Sequence, residues 1–421
     1  MRHIASCIML LVVALMPATL LAQWTTQTSG TTNTLQDVHF LNANYGVAVG
    51  DTGTVLLTTN GGINWQPLTI RNKNNIQSVQ VIGVDTILVA AGTYFDGEVY
   101  LTTNGGTTWD SVANGIDLAN AGDFYFTLNF KNILRSEDQG ENWDTMDIQI
   151  GSTTLLERLY FPKGKVAYVM GNVSGFATYS AFGYRSDDDG QSWTSLFALD
   201  FPNNNAFTAA AFPSPDTGYI FTNRFERFLP GKLNQLIRVH SFYFDDAQTQ
   251  QWRFAAEIVK DSMPTYMHDA QFLDNNLGYA VGENGHIYKT INGGADWTVE
   301  YPGNQPLKAI YMLSNSVGYA VGANGIIVKL NATTATDAPG VALPLQFYPN
   351  PTRNQIQLQG LETQDAILTI FSANGQIVQQ TVLNGELKVS LNNLVNGWYT
   401  LQLQVRNDGQ VYRGKLIVQQ E

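Results

Sequence analysis

With 421 residues, 44% of them hydrophobic, the chain can bury a large core in more than one domain, and 14% charged residues beside 38 Gly and 21 Phe describe turn-rich β protein. A formal net charge of −12 excludes a basic nucleic-acid footprint over the molecule as a whole, so no nucleic-acid partner is expected. One cysteine, Cys7, excludes a disulfide framework.

In chain order, Met1-Arg2-His3 is a basic start and Ile4 to Ala22 an apolar stretch closing on small residues before Gln23, so residues 1–22 read as a signal peptide cleaved near Ala22. Cys7 leaves with it, and so does the one feature, Ile4-Ala5-Ser6-Cys7, with the look of a lipidation site. No later run reaches the roughly 20 apolar residues of a membrane helix, so no membrane span is expected.

From Gln23 onward the frame Ser/Thr-x-Asp/Asn-x-Gly-x-x-Trp recurs five times. Its copies carry Asn60, Gly62 and Trp65; Asn104, Gly106 and Trp109; Asp138, Gly140 and Trp143; Asp188, Gly190 and Trp193; Asn292, Gly294 and Trp297. The chemistry of a tight turn calls for these types: the Asx oxygen accepts turn amides, and glycine takes a positive φ without a Cβ clash. Tryptophan then anchors the returning strand.

Successive repeat tryptophans from Trp24 to Trp297 lie about 45 residues apart, the period of a four-stranded propeller blade. In the first repeat the strands fall at Leu35 to Leu41, Tyr45 to Gly50, Thr54 to Thr58 and Asn64 to Leu68. The next repeats run from about Ile76, Gly115, Thr153 and Ala206, the last with Phe244-Asp245-Asp246-Ala247 in place of the box. The final two carry Gly278-Tyr-Ala-Val-Gly282 and Gly318-Tyr-Ala-Val-Gly322. The seventh stops near Leu330 without an outer strand, while Trp24 has no strands before it, so Gln23 to Thr28 is expected to close the ring. The expected fold is all-β: a seven-bladed β-propeller over 23–330, a linker at 331–344 and a small C-terminal β-sandwich at 345–421.

The repeated frame is the Asp-box, or BNR repeat, and with Gly-Tyr-Ala-Val-Gly it resembles the photosystem II stability and assembly factor propellers, and more loosely the sialidase and sortilin propellers. That resemblance implies fold and not function. The segment opening with Phe347-Tyr348-Pro349-Asn350-Pro351 and continuing through Gly397-Trp398-Tyr399 to Lys415-Leu-Ile-Val418 is similar to the C-terminal sorting domain of the Bacteroidetes type IX secretion system. The similarity implies that the secretion machinery is a partner through residues 345–421, that Pro349, Asn350, Pro351, Gly397, Tyr399 and Lys415 carry the sorting motif, and that the product is released or displayed on the outer-membrane surface.

For chemistry, Asp187-Asp188-Asp189-Gly190 has the look of a calcium loop without the EF-hand spacing, so the box acids are read as structural and no metal is expected. A sialidase needs an arginine cluster, yet the first three repeats offer only Arg71 and Arg135. The histidines His39, His240, His268 and His286 stand singly and are read as structural or surface groups. Pore carboxylates suited to hydrolysis stay open, although no Asp or Glu is singled out by context.

Long insertions at about Asn172 to Phe182 and Asn223 to Asn234 carry Phe176, Tyr179, Phe225 and Phe228 with Arg224, Arg227 and Lys232, the mixture found in binding hot spots. The expectation is a monomeric binding propeller for a protein or glycan, with no cofactor and no catalytic residue. The alternatives are a glycan hydrolase using pore carboxylates and a structural part of a surface assembly.

Overall fold

The computed structural model describes residues 23–331 and 343–419, apart from 72–73, 94, 130–131, 147, 149–153, 163–164, 175–178, 196–204, 225–232, 247–248, 360–364, 373–376, 385–386, 392–393 and 406–410. The chain divides into two compact units, one ending at Thr333 and one starting at Thr334. The expected signal peptide and most of the expected linker fall outside the described residues.

The described residues of the first unit form seven four-stranded antiparallel sheets. Their inner strands are Leu35–Phe40, Ile76–Val81, Asp117–Ala121, Thr154–Tyr160, Asn205–Ser214, Met267–Phe272 and Leu307–Met312. The remaining strands of each sheet follow outward in chain order, except that the seventh takes Gln23–Gln27 as its outermost strand, with Trp24 opposite Leu330. Each sheet packs against the next through its inner strand, and the seventh inner strand packs on the first.

The second strands are covered on both faces by neighbouring sheets, which is why they read as uninterrupted apolar runs: Gly46–Gly50, Ile87–Ala91, Gly278–Gly282 and Gly318–Gly322 are buried throughout. Gly-Tyr-Ala-Val-Gly has a packing reason at each end. Second-strand tyrosines stack on an aromatic of the next sheet's inner strand, Tyr319 on Phe40 at 3.7 Å between ring centroids, Tyr219 on Phe272 at 3.9 Å and Tyr168 on Phe212 at 4.2 Å, whereas Tyr279 meets Trp24 edge-on. The leading glycine makes room for that ring, since a Cβ on Gly278 would meet Phe272 at 2.6 Å. The closing glycine admits a backbone, since a Cβ on Gly282 would lie 2.1 Å from the Tyr266 carbonyl.

All five boxes fold alike. The Ser or Thr hydroxyl accepts the glycine N–H, as in Thr58 from Gly62 at 2.8 Å, Thr102 from Gly106 at 2.9 Å and Ser136 from Gly140 at 2.8 Å. Ser186 and Thr290 accept from Gly190 and Gly294 in the same way, both at 2.9 Å. The Asx oxygen accepts the N–H four residues on, Asn64 to Asn60 at 3.0 Å and Thr108 to Asn104, Asn142 to Asp138, Ser192 to Asp188 and Asp296 to Asn292 at 2.9 Å. Every box glycine has φ between 75° and 93°. Since Asn64 and Trp65 belong to this turn, the outer strand of the first sheet is Gln66–Leu68 and not the longer Asn64 to Leu68. The fifth sheet has no box, and two strands of 14 and 12 residues, Leu233–Asp246 and Thr249–Lys260, pair directly up to Asp246 opposite Thr249.

The second unit holds a five-stranded sheet in the spatial order Leu343–Pro344, Val411–Val418, Gly397–Val405, Asp365–Ser372 and Ile377–Asn384, and a three-stranded sheet of Gln346–Tyr348, Gln355–Gln359 and Lys388–Ser390. One core draws on both, with Ile356, Leu358 and Val389 meeting Leu368, Ile370, Leu401, Leu403 and Leu416. Trp24 is 3% exposed and meets Tyr279 edge-on at 6.3 Å. Trp24→Ala is expected to lower the melting temperature sharply, at the level of the about 3 to 5 kcal/mol lost when a large buried aromatic becomes alanine; calorimetry on the full chain checks it.

Candidate functional site

The inner strands do not run straight. Their register shifts between Leu35 and Asp37, Ile76 and Ser78, Leu156 and Arg158, Phe207 and Ala209, Met267 and Asp269, and Leu307 and Ala309, and the third inner strand, paired without a shift from Asp117 to Ala121, is the exception. A bulge turns consecutive side chains toward the same side, so Gln36 and Asp37, Gln77 and Ser78, Glu157 and Arg158, and His268 and Asp269 form polar pairs around the centre of the unit, while Ala209 and Ala309 stand second on the fifth and seventh strands.

On four of the inner strands a polar side chain near the start fastens one sheet to the next. Asp37 accepts the Val79 N–H at 2.8 Å, Ser78 that of Leu118 at 3.2 Å, Asp117 that of Leu159 at 2.9 Å and Asp269 that of Ile310 at 2.9 Å. The second oxygen of Asp37 accepts Val38 N at 2.7 Å, and that of Asp269 accepts Ala270 N at 2.8 Å. Further along the strands, His39 accepts Val81 N at 3.2 Å, Gln271 accepts Met312 N at 2.7 Å and the Tyr160 hydroxyl accepts Ala210 N at 3.1 Å.

These residues line a cavity of about 470 Å³. At its centre Arg158 donates from Nη1 to Asp117 Oδ1 at 2.9 Å, with its side chain 43% exposed to the cavity against 7% for Asp117. Among the described residues its other guanidinium nitrogens have no partner. Burial pushes Asp37 up to about 6 and Asp269 up to about 7, partly offset by the amides of Val79 and Ile310 and by Arg158. Burial also raises Asp117, against the pull of Arg158, and raises Tyr160. It pushes His39 down to about 4, a neutral ring in keeping with the amide it accepts.

A second cavity of about 410 Å³ shares Arg158 and His268 with the first and adds Glu157, Tyr266, Thr208 and Gln77. It lies where the inner strands begin, the same end to which the connections between second and third strands return. Here Glu283 sits 2.6 Å from His268 Nε2 and 3.4 Å from the Lys308 ammonium, which is 2.9 Å from the same imidazole nitrogen. Burial and the Lys308 charge lower His268. The Glu157 carboxylate accepts from Asn172 at 2.7 Å. The arrangement offers one available guanidinium and a rim of hydrogen-bonding side chains, set among carboxylates whose oxygens already hold the sheets together.

Of the residues expected to bind ligand, Phe176, Phe225, Arg227, Phe228 and Lys232 lie outside the described residues, and Arg224 and Tyr179 are described only as ends of strands. Much of the two expected loops is paired strand, since Asn172 to Ser174 faces Tyr179 to Ala181 and Asn223 faces Asn234. The Asn172 side chain is buried and accepts Phe207 N at 2.8 Å. Asp188 has both oxygens taken by Ser186, Ser192 and the Ser192 amide. Arg135 lies over the Phe124 ring at 4.1 Å, pairs with Glu137 and takes no part in the cavity. His39 and His268 line the cavities, whereas His240 touches Thr217 and His286 touches Asn284 and Tyr288.

Arg158, Asp37, Asp117 and Asp269 were not singled out by sequence reasoning. A signal was present: Leu35-Gln-Asp-Val38, Leu156-Glu-Arg-Leu159 and Met267-His-Asp-Ala270 each put two polar residues between two inward ones, which breaks strand alternation as a bulge does. In the second unit Asn350 donates from Nδ2 to the Lys415 carbonyl at 2.8 Å and accepts Ile417 N at 2.9 Å. Pro349 and Pro351 flank it, Gly397 opens a strand, and Lys415 is exposed. Tyr399 is buried and donates to the Val395 carbonyl at 2.8 Å.

Residues 346–419 match the family model for the secretion system C-terminal sorting domain, and residues 16–123 match that for the photosynthesis system II assembly factor YCF48. No curated protein matches the chain in sequence. Among solved structures, a YCF48 bound to a D1 peptide is 18% identical over 74% of this chain and 97% of that one, with a TM-score of 0.55. YCF48 from Cyanidioschyzon merolae is 16% identical over 75% of this chain and 100% of that one, TM-score 0.56. The GH74 xyloglucanase from Xanthomonas campestris is 15% identical over 93% and 69%, TM-score 0.52. These likenesses show the fold, a β-propeller. The segment from 346 to 419 is a sorting domain of the type IX kind.

In the folded chain Asp37 and Asp269 bind protons more tightly than ordinary carboxyls, so their stabilising contribution is complete below about pH 4 and is lost as the pH climbs through about 6 and 7. His39 works in the opposite sense below its ordinary value. Measured against Asp269→Asn, which keeps His39, the parent is expected to lose melting temperature as the pH rises from about 5 to about 8; parallel melts across that range check it.

Proposed function

We propose that the chain is a seven-bladed β-propeller, closed by its N-terminal strand and followed by a β-sandwich sorting domain, which the type IX machinery exports and which binds a protein segment or glycan without transforming it. The observation that carries this reading is the commitment of the central carboxylates. Both oxygens of Asp37 and of Asp269 accept main-chain amides, so these acids hold neighbouring inner strands in place. Arg158 remains as a donor that a ligand can reach from either cavity. The likeness to a YCF48 bound to a D1 peptide favours a protein segment as the ligand, and Arg224, paired with Asn205 at the start of the fifth inner strand, stands at the end of the unit where the smaller cavity lies.

A second reading has its own support. Asp37 at about 6 and Asp269 at about 7 are poised to give up or take a proton near neutrality, and the GH74 xyloglucanase shares the fold. The exported chain would then hydrolyse a glycan.

Peptide and glycan arrays probed with the full exported chain separate the two. Arg158→Ala is expected to weaken capture at least about tenfold, as loss of an arginine anchor does, and the combined Arg224→Ala, Phe225→Ala, Arg227→Ala and Phe228→Ala variant tests the insertions. Release of reducing ends from xyloglucan or another glycan, abolished in Asp269→Asn, would replace the binding reading with the hydrolase. Deleting residues 345–421 is expected to hold the chain in the periplasm, which cell fractionation reads; normal export of the truncated chain would remove the sorting role.

A further inference from the structure

Large apolar side chains are unevenly exposed. Of the twelve that are exposed among the described residues, Tyr348, Val378, Val382, Val395 and Trp398 fall in the second unit, about a fifth of the chain. Trp398 is 63% exposed, and its neighbours follow from strand register. It stands directly opposite Ile417, while Thr400 stands between Phe371 and Lys415, and Ile367 stands opposite Val382. Side chains alternate along a strand, so these residues share the side of the five-stranded sheet away from the core, which takes Tyr399, Leu401, Leu403, Leu416 and Val418.

The motif Gly397-Trp398-Tyr399 is thereby divided. Tyr399 points inward with its hydroxyl committed to Val395, so its work is to hold the sheet. Trp398 points outward and, among the described residues, makes no ring contact or side-chain hydrogen bond. An exposed tryptophan among Ile417 and Phe371, with Lys415 at the margin, has the make-up of an interface centre.

We propose that this outer face, centred on Trp398, is the surface by which the secretion machinery reads the domain. The inference rests on the sorting role read from residues 346–419. The occupant is a component of that machinery which offers an apolar pocket to the indole and an acidic group to Lys415. Export then depends on Trp398 for contact and on Tyr399 and Asn350 for the fold that presents it.

The test uses the full chain expressed in cells with a type IX system, with export measured by fractionation and stability by melting of the purified protein. Trp398→Ser and Lys415→Glu are expected to cut the exported fraction at least about tenfold, as loss of a central anchor does, with the melting temperature unmoved. Lys388→Glu, an equally exposed change on the three-stranded sheet, should export normally. Normal export of Trp398→Ser, while the chain lacking 345–421 stays in the periplasm, would overturn the proposed face and leave the sorting role intact. Export of that truncated chain would fell both. A lowered melting temperature in Trp398→Ser would show the indole packed within the chain, and loss of a dimer with export intact would make the face a contact between copies; either result overturns the proposal.

Discussion

The first unit depends on one repeated hydrogen bond, from the main-chain N–H of an inner strand to a polar side chain on the inner strand before it. Sheets in a ring can be pressed together by apolar surfaces alone, but such surfaces slide; an acceptor placed opposite one particular amide fixes the offset of each sheet on the next. Asp37, Ser78, Asp117 and Asp269 supply that acceptor at equivalent points of their strands. Where the corresponding residue is Ala209 or Ala309, the join relies on packing, with Tyr219 on Phe272 and Tyr319 on Phe40. Polar and aromatic joins thus divide the circumference; at Asp37, Ser78 and Asp269 a shifted register brings the acceptor round to face its partner, whereas Asp117 reaches Leu159 from a strand paired without a shift.

The same requirement generates the electrostatics of the centre. Four inner strands that each turn a polar side chain inward gather Asp37, Asp117 and Asp269 around Arg158, and burial then raises the acids toward neutrality. Elevated carboxyl values are usually taken as a sign of catalysis, yet structural networks perturb titration too. Here the amides come first: a carboxyl that accepts two N–H groups is fixed in orientation and has little freedom to approach a substrate. Arg158 is the opposite case. One of its nitrogens pairs with Asp117 and the side chain remains open to the cavity, so it holds the network and still has donors to offer.

Much of the fold was legible because it is written in local chemistry that repeats. A box turn needs Ser or Thr, Asx and Gly at fixed offsets whatever surrounds it, so Thr58, Asn60 and Gly62 announce the turn on their own. Gly278-Tyr-Ala-Val-Gly282 was legible as a repeat but not as a mechanism, since its glycines answer to Phe272 and to the Tyr266 carbonyl, which only the folded sheet brings near. The centre was harder still. Asp37 and Val79 are partners across two sheets, and nothing in either neighbourhood distinguishes Asp37 from an exposed aspartate until the seven inner strands are set in one frame. Once Leu35-Gln-Asp-Val38 is laid over Leu156-Glu-Arg-Leu159, the arginine appears at the position of the aspartate, and its role follows. The insertions are legible as length in the sequence, whereas convergence of side chains from separate strands is not.

The second unit shows how a short motif can join two different demands. Asn350 uses both ends of its amide on the strand Val411–Val418, and Tyr399 uses its ring in the core and its hydroxyl on Val395, so these motif residues are explained by folding. Trp398, next to Tyr399, satisfies neither demand, because strand alternation forbids it the core that Tyr399 enters. A large aromatic held in water by the geometry of its own strand is costly to the isolated domain. That cost is offset if the indole docks on another molecule, as the proposed reading of this face by the secretion machinery requires.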